Sequence, residues 1–128
     1  MNIYPDNFGI HETALRTRSR QLELLATNIA NADTPHFKAR AIDFKQVLGQ
    51  VQQDALKATD ARHFPLEQDG SSADGIKYRV PLNAGVDGNT VEMSVEQAQY
   101  GKAAAEYRAS LMFIENRTSS IKRALRGE

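Results

Sequence analysis

Apolar residues recur every seven positions at both ends of this chain. Near the start, Phe8, Leu15, Leu22 and Ile29 fall on one row, and a second row holds His11, Arg18, Leu25 and Ala32. Seven-residue spacing returns a side chain to the same flank of an α-helix and marks the seam along which two helices wind together. The pattern predicts a helix from about Phe8 to Ala32, roughly 37 Å long at ~1.5 Å per residue. Near the end, one row carries Met93, Tyr100, Tyr107, Ile114 and Ile121, and the other Gln97, Ala104, Leu111, Thr118 and Leu125. That predicts a second helix from Val91 to Leu125, about 53 Å long and longer than the first can cover. Arg18, on the seam, reads as a stem that lies along apolar surface with its charge lifted out, in preference to a register device paired with an acid.

Between these segments the pattern shortens. Phe37 to Phe44 reads as an irregular or extended link, and Asp43 as the N-cap of a short helix whose apolar face is Phe44, Val47, Leu48, Val51, Ala55 and Ala58. Residues 61–75 are polar and turn-rich, with Pro65, Asp69-Gly70 and Asp74-Gly75, and read as a mobile surface loop. Ile76, Tyr78 and Val80 then alternate with Lys77 and Arg79, the signal of a half-buried strand that Pro81 ends or confines to an edge. His63-Phe64 is a candidate pairing segment for a β-hairpin. Asp87-Gly88-Asn89-Thr90 forms the turn into the last helix. The predicted fold is mainly α: long terminal helices in an antiparallel coiled-coil-like core (1–35 with 90–128), and a small middle segment (36–89) of short helix, mobile loop and candidate hairpin.

The first helix must stop at Asp33-Thr34-Pro35, because Pro35 lacks an N–H and disfavours helical geometry at Thr34. The run Ala30-Asn31-Ala32-Asp33-Thr34-Pro35-His36-Phe37 resembles the signature of the flagellar rod and hook axial proteins. There an Ala-Asn and a Thr-Pro, usually followed by Gly-Tyr, close an amphipathic N-terminal helix. Lys38-Ala39-Arg40-Ala41-Ile42-Asp43-Phe44 is similar to the continuation in proximal rod members. So are Tyr78-Arg79-Val80-Pro81 and Asp87-Gly88-Asn89-Thr90-Val91-Glu92-Met93. The resemblance covers most of the chain outside roughly residues 50–75, and its motif positions here are Ala30, Asn31, Thr34, Pro35 and Phe37. His36-Phe37 departs from Gly-Tyr: if the family's glycine serves a positive φ, His36 carries a steric cost there.

Composition narrows the partners. Lys plus Arg and Asp plus Glu are equal at 16 each, which argues against nucleic acid, whose binders carry a basic excess. Cysteine is absent, so neither a disulfide framework nor a thiolate metal site exists. Among 128 residues 41% are hydrophobic but only 7% aromatic. Large core residues are therefore scarce, and stability is expected to draw on packing against other chains. No apolar run approaches the ~20 residues of a bilayer span, and residues 1–20 lack the apolar stretch of a cleavable signal peptide.

Catalytic and ligand-binding patterns are missing. His11, His36 and His63 are dispersed, Asp69, Asp74 and Asp87-x-Asn89 fail the EF-hand order, and Gly101-Lys102-Ala103 is not a phosphate loop. No Gly-x-Ser-x-Gly elbow occurs, and Glu12, Glu23, Glu96, Glu106 and Glu115 fall mainly on solvent faces by the heptad count. No enzyme, cofactor, metal or small-molecule substrate is expected. The cluster Arg117, Lys122, Arg123 and Arg126 suits the helix dipole and solubility, or a contact with acidic neighbours.

The candidate assembly seam is Leu15, Leu22, Leu25 and Ile29 with Tyr100, Tyr107, Leu111, Ile114, Ile121 and Leu125. A hairpin of two such helices leaves apolar surface uncovered, the mark of an interface. The resemblance implies a structural subunit of the proximal flagellar rod in the basal body. It implies export through the flagellar type III apparatus without a cleaved signal, packing against copies of itself and other rod subunits, and transmission of torque. The competing reading is a freestanding coiled-coil adaptor or chaperone that binds a partner helix; a small hydrolase using the acidic loop 67–74 is a weaker alternative.

Overall fold

The computed structural model describes residues 9–55, 75–83 and 85–127. Phe8, Ala58, the 61–74 loop and His63-Phe64 lie outside them. The order is α1 (Gly9–Ala30), β1 (Arg40–Ile42), α2 (Phe44–Ala55), β2 (Ile76–Tyr78) and α3 (Met93–Arg126). The mainly helical architecture read from the sequence is what forms, with the two long helices packed on each other.

α1 and α3 run antiparallel in a fixed register. Asn28 Nδ2 donates to Glu96 Oε2 at 3.1 Å, Arg18 pairs with Glu106 at 2.5 Å, and the rings of His11 and Phe113 lie 6.5 Å apart. Each of these pairs adds to 124 in residue number, so the helices stay aligned from one contact to the next. Gly9, the first described residue of α1, then falls level with Glu115. The last turns of α3, from Asn116 to Arg126, extend past it.

The inward faces are offset from the heptad rows. On α1 the buried residues are Thr17, Leu24, Leu25 and Asn28; on α3 they are Glu96 and Ala103. Of the predicted seam, Leu25 is buried. Leu15, Leu22, Ile29, Tyr107, Leu111 and Ile114 are half-buried, and Tyr100, Ile121 and Leu125 are exposed. The helices close over the small Ala103 and a polar pair, and much of the apolar row of α3 is left facing outward. Met112 and Phe113 are exposed on it as well.

Two glutamates contradict the solvent-face assignment. Glu96 is 0% exposed because Asn28 and Arg79 hold its carboxylate. Glu106 is half-buried because it pairs with Arg18. Arg18 is correspondingly a register device, contrary to the snorkelling expectation: its guanidinium meets an acid on the facing helix and stacks 3.5 Å over the Phe44 ring.

α2 begins where expected. The Asp43 side chain accepts from the Gln46 N–H at 3.1 Å, an N-cap bond. Strand β2 is shorter than the predicted five residues, and its described partner is β1, within the stretch read as a link. Arg40 faces Tyr78, Ala41 faces Lys77 and Ile42 faces Ile76, antiparallel. The half-buried alternation holds at Ile76 and Lys77 and reverses beyond them. Tyr78 and Val80 are 73% and 88% exposed, whereas Arg79 turns inward to Glu96.

α1 ends at Ala30, two residues early, because the next turn tightens: Asn31, Ala32 and Thr34 donate to carbonyls three residues back. α3 starts at Met93, two residues later than expected, because Asn89 Oδ1 takes the Val91 N–H at 2.7 Å and holds it out of the helix. It ends at Gly127, whose φ of 72° supplies the left-handed cap.

Candidate functional site: two interlocked turns beside the helix seam

Thr34-Pro35-His36-Phe37 has the layout of a type II turn. Proline is second, His36 third with φ 61°, and the Phe37 N–H returns to the Thr34 carbonyl at 3.3 Å. The positive φ at the position where the family motif carries glycine is therefore present, and His36 adopts it. Asn31, the motif asparagine, lies one turn earlier. Its amide donates to Thr27 O at 2.8 Å, and its Oδ1 accepts from the Thr34 hydroxyl at 3.1 Å. The exposed Ala30 ends α1, Pro35 is exposed, and Phe37 is half-buried.

The second turn, Gly85 to Thr90, bonds to the first. His36 N donates to Asp87 O at 3.1 Å, Thr90 N to Phe37 O at 3.0 Å, and Lys38 Nζ to Gly88 O at 2.9 Å. Asn89 is the central piece. Its Nδ2 lies 2.9, 2.8 and 2.9 Å from the carbonyls of Asn31, Ala32 and Thr34, so one amide gathers acceptors freed where α1 stops. Gly88, at φ 76°, packs so closely that a β-carbon there would stand 2.9 Å from His36 Nδ1. Thr90 accepts from the Ala39 N–H at 2.8 Å, and both residues are buried.

A polar cluster continues the junction into the helix pair. Asn28 uses both ends of its amide on Arg40: Nδ2 donates to Arg40 O at 2.9 Å and Oδ1 accepts from Arg40 N at 3.2 Å. That is how a neighbouring strand would engage β1, so a helix side chain closes the sheet edge. The same Nδ2 reaches Glu96, which Arg79 also engages. α1, β1, β2 and α3 thereby meet at one buried carboxylate. Asn28, Asn89 and Glu96 escaped the sequence reading as site residues; the signal for Asn89 was its place inside the Asp87–Met93 family motif.

The arrangement ties the two turns, the small sheet and both long helices of one chain together. Among the described residues no group of three or more His, Asp or Glu side chains could hold a metal, and no helix is long and apolar enough to cross a membrane. Among the described residues the one carboxyl clearly displaced is that of Asp43, held below its ordinary value by the Gln46 N–H and then by Lys77, whose ammonium lies 3.1 Å away.

Known proteins resemble this chain along its length. The family model for the flagella basal body rod protein matches residues 8–38. Flagellar basal body rod protein FlgB of Aeromonas hydrophila is 44% identical over 94% of this chain and 93% of its own length. FlgB of Cereibacter sphaeroides strain ATCC 17029 is 40% identical over the whole of both chains. FlgB of Escherichia coli K12 is 34% identical over 89% of this chain and 88% of its own. The two turns that lock together here are thus parts of one shared sequence, and the chain belongs to the FlgB family of flagellar basal body rod proteins.

Proposed function

We propose that this chain is a proximal rod subunit that assembles through its terminal helices. Segments 1–35 and 90–128 would form the packed core, and 36–89 would be carried on its outside. The subunit neighbours copies of itself and other rod subunits, reaches the rod through the flagellar export apparatus without a cleaved signal, and passes torque along the stack. It performs no catalysis in this role. Family membership supplies the structural class. The observation that carries the assembly mode is the overhang of α3, where Ile121 and Leu125 prolong the predicted seam at 38% and 83% exposure. A helix row of this kind is covered by a neighbour, and subunits repeating by a rotation that does not close produce a tube.

A freestanding adaptor would need the helices but gives no reason for the two interlocked turns. The test is Leu125→Asp. The side chain is exposed in the single chain, so the stability of the fold, read from its thermal melt, stays within about ±0.5 kcal/mol of the parent. Basal bodies should lack the subunit and cells should not swim. Normal swimming with normal incorporation refutes α3 as an assembly helix.

A further inference from the structure

Among the described residues, the positive charge at the end of α3 meets no carboxylate. From Asn116 to Arg126 the helix carries Arg117, Lys122, Arg123 and Arg126, all exposed, and no acidic residue. Arg123 reaches the Ser120 hydroxyl at 3.3 Å. Arg123 and Arg126 lie in the last turn, where the helix dipole favours a cation. Arg117 and Lys122 lie outside that turn, and the dipole does not account for them.

Arg117 directly precedes Thr118, and Lys122 directly follows Ile121. The two cations therefore flank the row Thr118, Ile121 and Leu125 on either side, the places where charges along a helix seam choose the partner. The row itself is fit to be covered. The Thr118 hydroxyl already donates to Ile114 O at 2.9 Å, and Ile121 and Leu125 are 38% and 83% exposed. Another copy of this chain offers no matching face on either long helix. Glu12 and Glu23 pair with Arg16 and Arg20 on α1, and Glu96 and Glu106 of α3 pair with Arg79 and Arg18, which leaves Glu115. The exposed Asp33 and Asp87 stand on turns rather than along a helix row. Two α3 ends side by side would set cation against cation.

We infer that the last turns of α3 pack along a helix of a different protein subunit, one whose own apolar row is flanked by carboxylates. Its apolar side chains would cover Ile121 and Leu125, and its carboxylates would face Arg117 and Lys122. An anionic lipid surface would attract the same charge. Two large apolar side chains, however, make a narrow seam and not the broad apolar face that a helix buries in a membrane surface. That α3 is an assembly helix rests on the rod reading above; the charges add that its neighbour at this end is not another copy.

The experiment places the photo-cross-linker p-benzoylphenylalanine at Ala124, exposed beside the row, and separately at Phe113, in the full chain expressed in flagellated cells. Adducts are identified by mass spectrometry in purified basal bodies. The Ala124 probe should join a helical stretch of a different basal-body protein with carboxylates beside its apolar row. Arg117→Glu with Lys122→Glu should lower that adduct roughly tenfold or more per incorporated chain, while the Phe113 adduct and the thermal melt of the isolated protein hold. Exchanging the partner's facing carboxylates for lysine should restore it. An Ala124 adduct to a second copy, to lipid or to a stretch without carboxylates would overturn the partner and leave the rod reading intact. So would an adduct indifferent to the charge reversal, or none while Phe113 cross-links. Absence of the unmodified chain from basal bodies would overturn the rod reading and the partner with it.

Discussion

His36 holds a backbone conformation that costs a residue with a β-carbon roughly 1–2 kcal/mol. The turn tolerates it because His36 N is fastened to Asp87 O and because Gly88 leaves room for the imidazole. Replacing His36 with glycine relieves the strain but frees the unfolded chain as well, which returns part of the gain. The net effect should be a stabilisation of up to about 1 kcal/mol, read as a higher urea midpoint. Gly88→Ala should act the other way, losing about 1–2 kcal/mol through its own φ of 76°. Most of that loss should persist in a His36→Gly background, since the imidazole is a movable end and the backbone angle is not. Complete rescue by His36→Gly would show that contact rather than backbone strain makes Gly88 necessary.

At the level of elements, charge pairs set the register that apolar rows leave loose. Glu96→Ala removes the anchor of Arg79 and one partner of Asn28 from a fully buried position, and should cost about 3–5 kcal/mol. Glu106→Ala should cost roughly 1–2 kcal/mol, because Arg18 is partly solvated and keeps its place over Phe44. Thermal melts followed by helix signal would rank the two, and equal losses would refute Glu96 as the junction. Asp43 gives a pH signature. Its ionised form is favoured in the fold, so its contribution is complete above the ordinary carboxylate value of 3.8 and disappears as pH falls through the lowered folded value. Asp43→Asn, which keeps an oxygen for the Gln46 N–H, should lose this acid-limb dependence at α2; an unchanged acid titration would show that Asp43 does not couple to folding. Much of this architecture was legible in the sequence. Seven-residue spacing located both long helices and Pro35 located the stop, while the family glycine only raised the question of a positive φ at residue 36, which the backbone answers. Spacing could not say which flank of α3 faces α1, because a periodic apolar row is equally suited to a partner within the chain and to one outside it. Glu96 lies one position off that row, so a count of heptads sends it to solvent. Three residues, Arg40–Ile42, are too short to show a strand period, and the strand they pair with, Ile76–Tyr78, is distant in sequence.

For the whole molecule the question is what one chain can hold together alone. Among the described residues the fully buried apolar side chains are Leu24, Leu25, Ala39 and Ala103, a small core for helices of 22 and 34 residues. Ordering the backbone costs roughly 1–2 kcal/mol per residue, and apolar burial returns about 25 cal/mol per Å². The composition alone pointed to terminal helices that depend on neighbours, and the packing of the single chain divides that dependence along α3. From Glu96 to Glu115 the helix lies beside α1 and shares the Asn28, Arg18 and His11 contacts. From Asn116 onward it extends past the first described residue of α1, with Leu125 and Arg126 in water. Isolated helical stretches this short are marginal, and their order comes from packing. Amide exchange on a verified dilute monomer should therefore be fast from Asn116 to Arg126 and slower, though weak, across Leu22–Asn28 and Glu96–Ala103. In assembled basal bodies the C-terminal stretch should gain at least a hundredfold protection as neighbouring helices cover Ile121 and Leu125. Strong protection of Asn116–Arg126 already in the monomer would mean that the helix needs no neighbour, and the exposed row would lose its reading as an assembly surface.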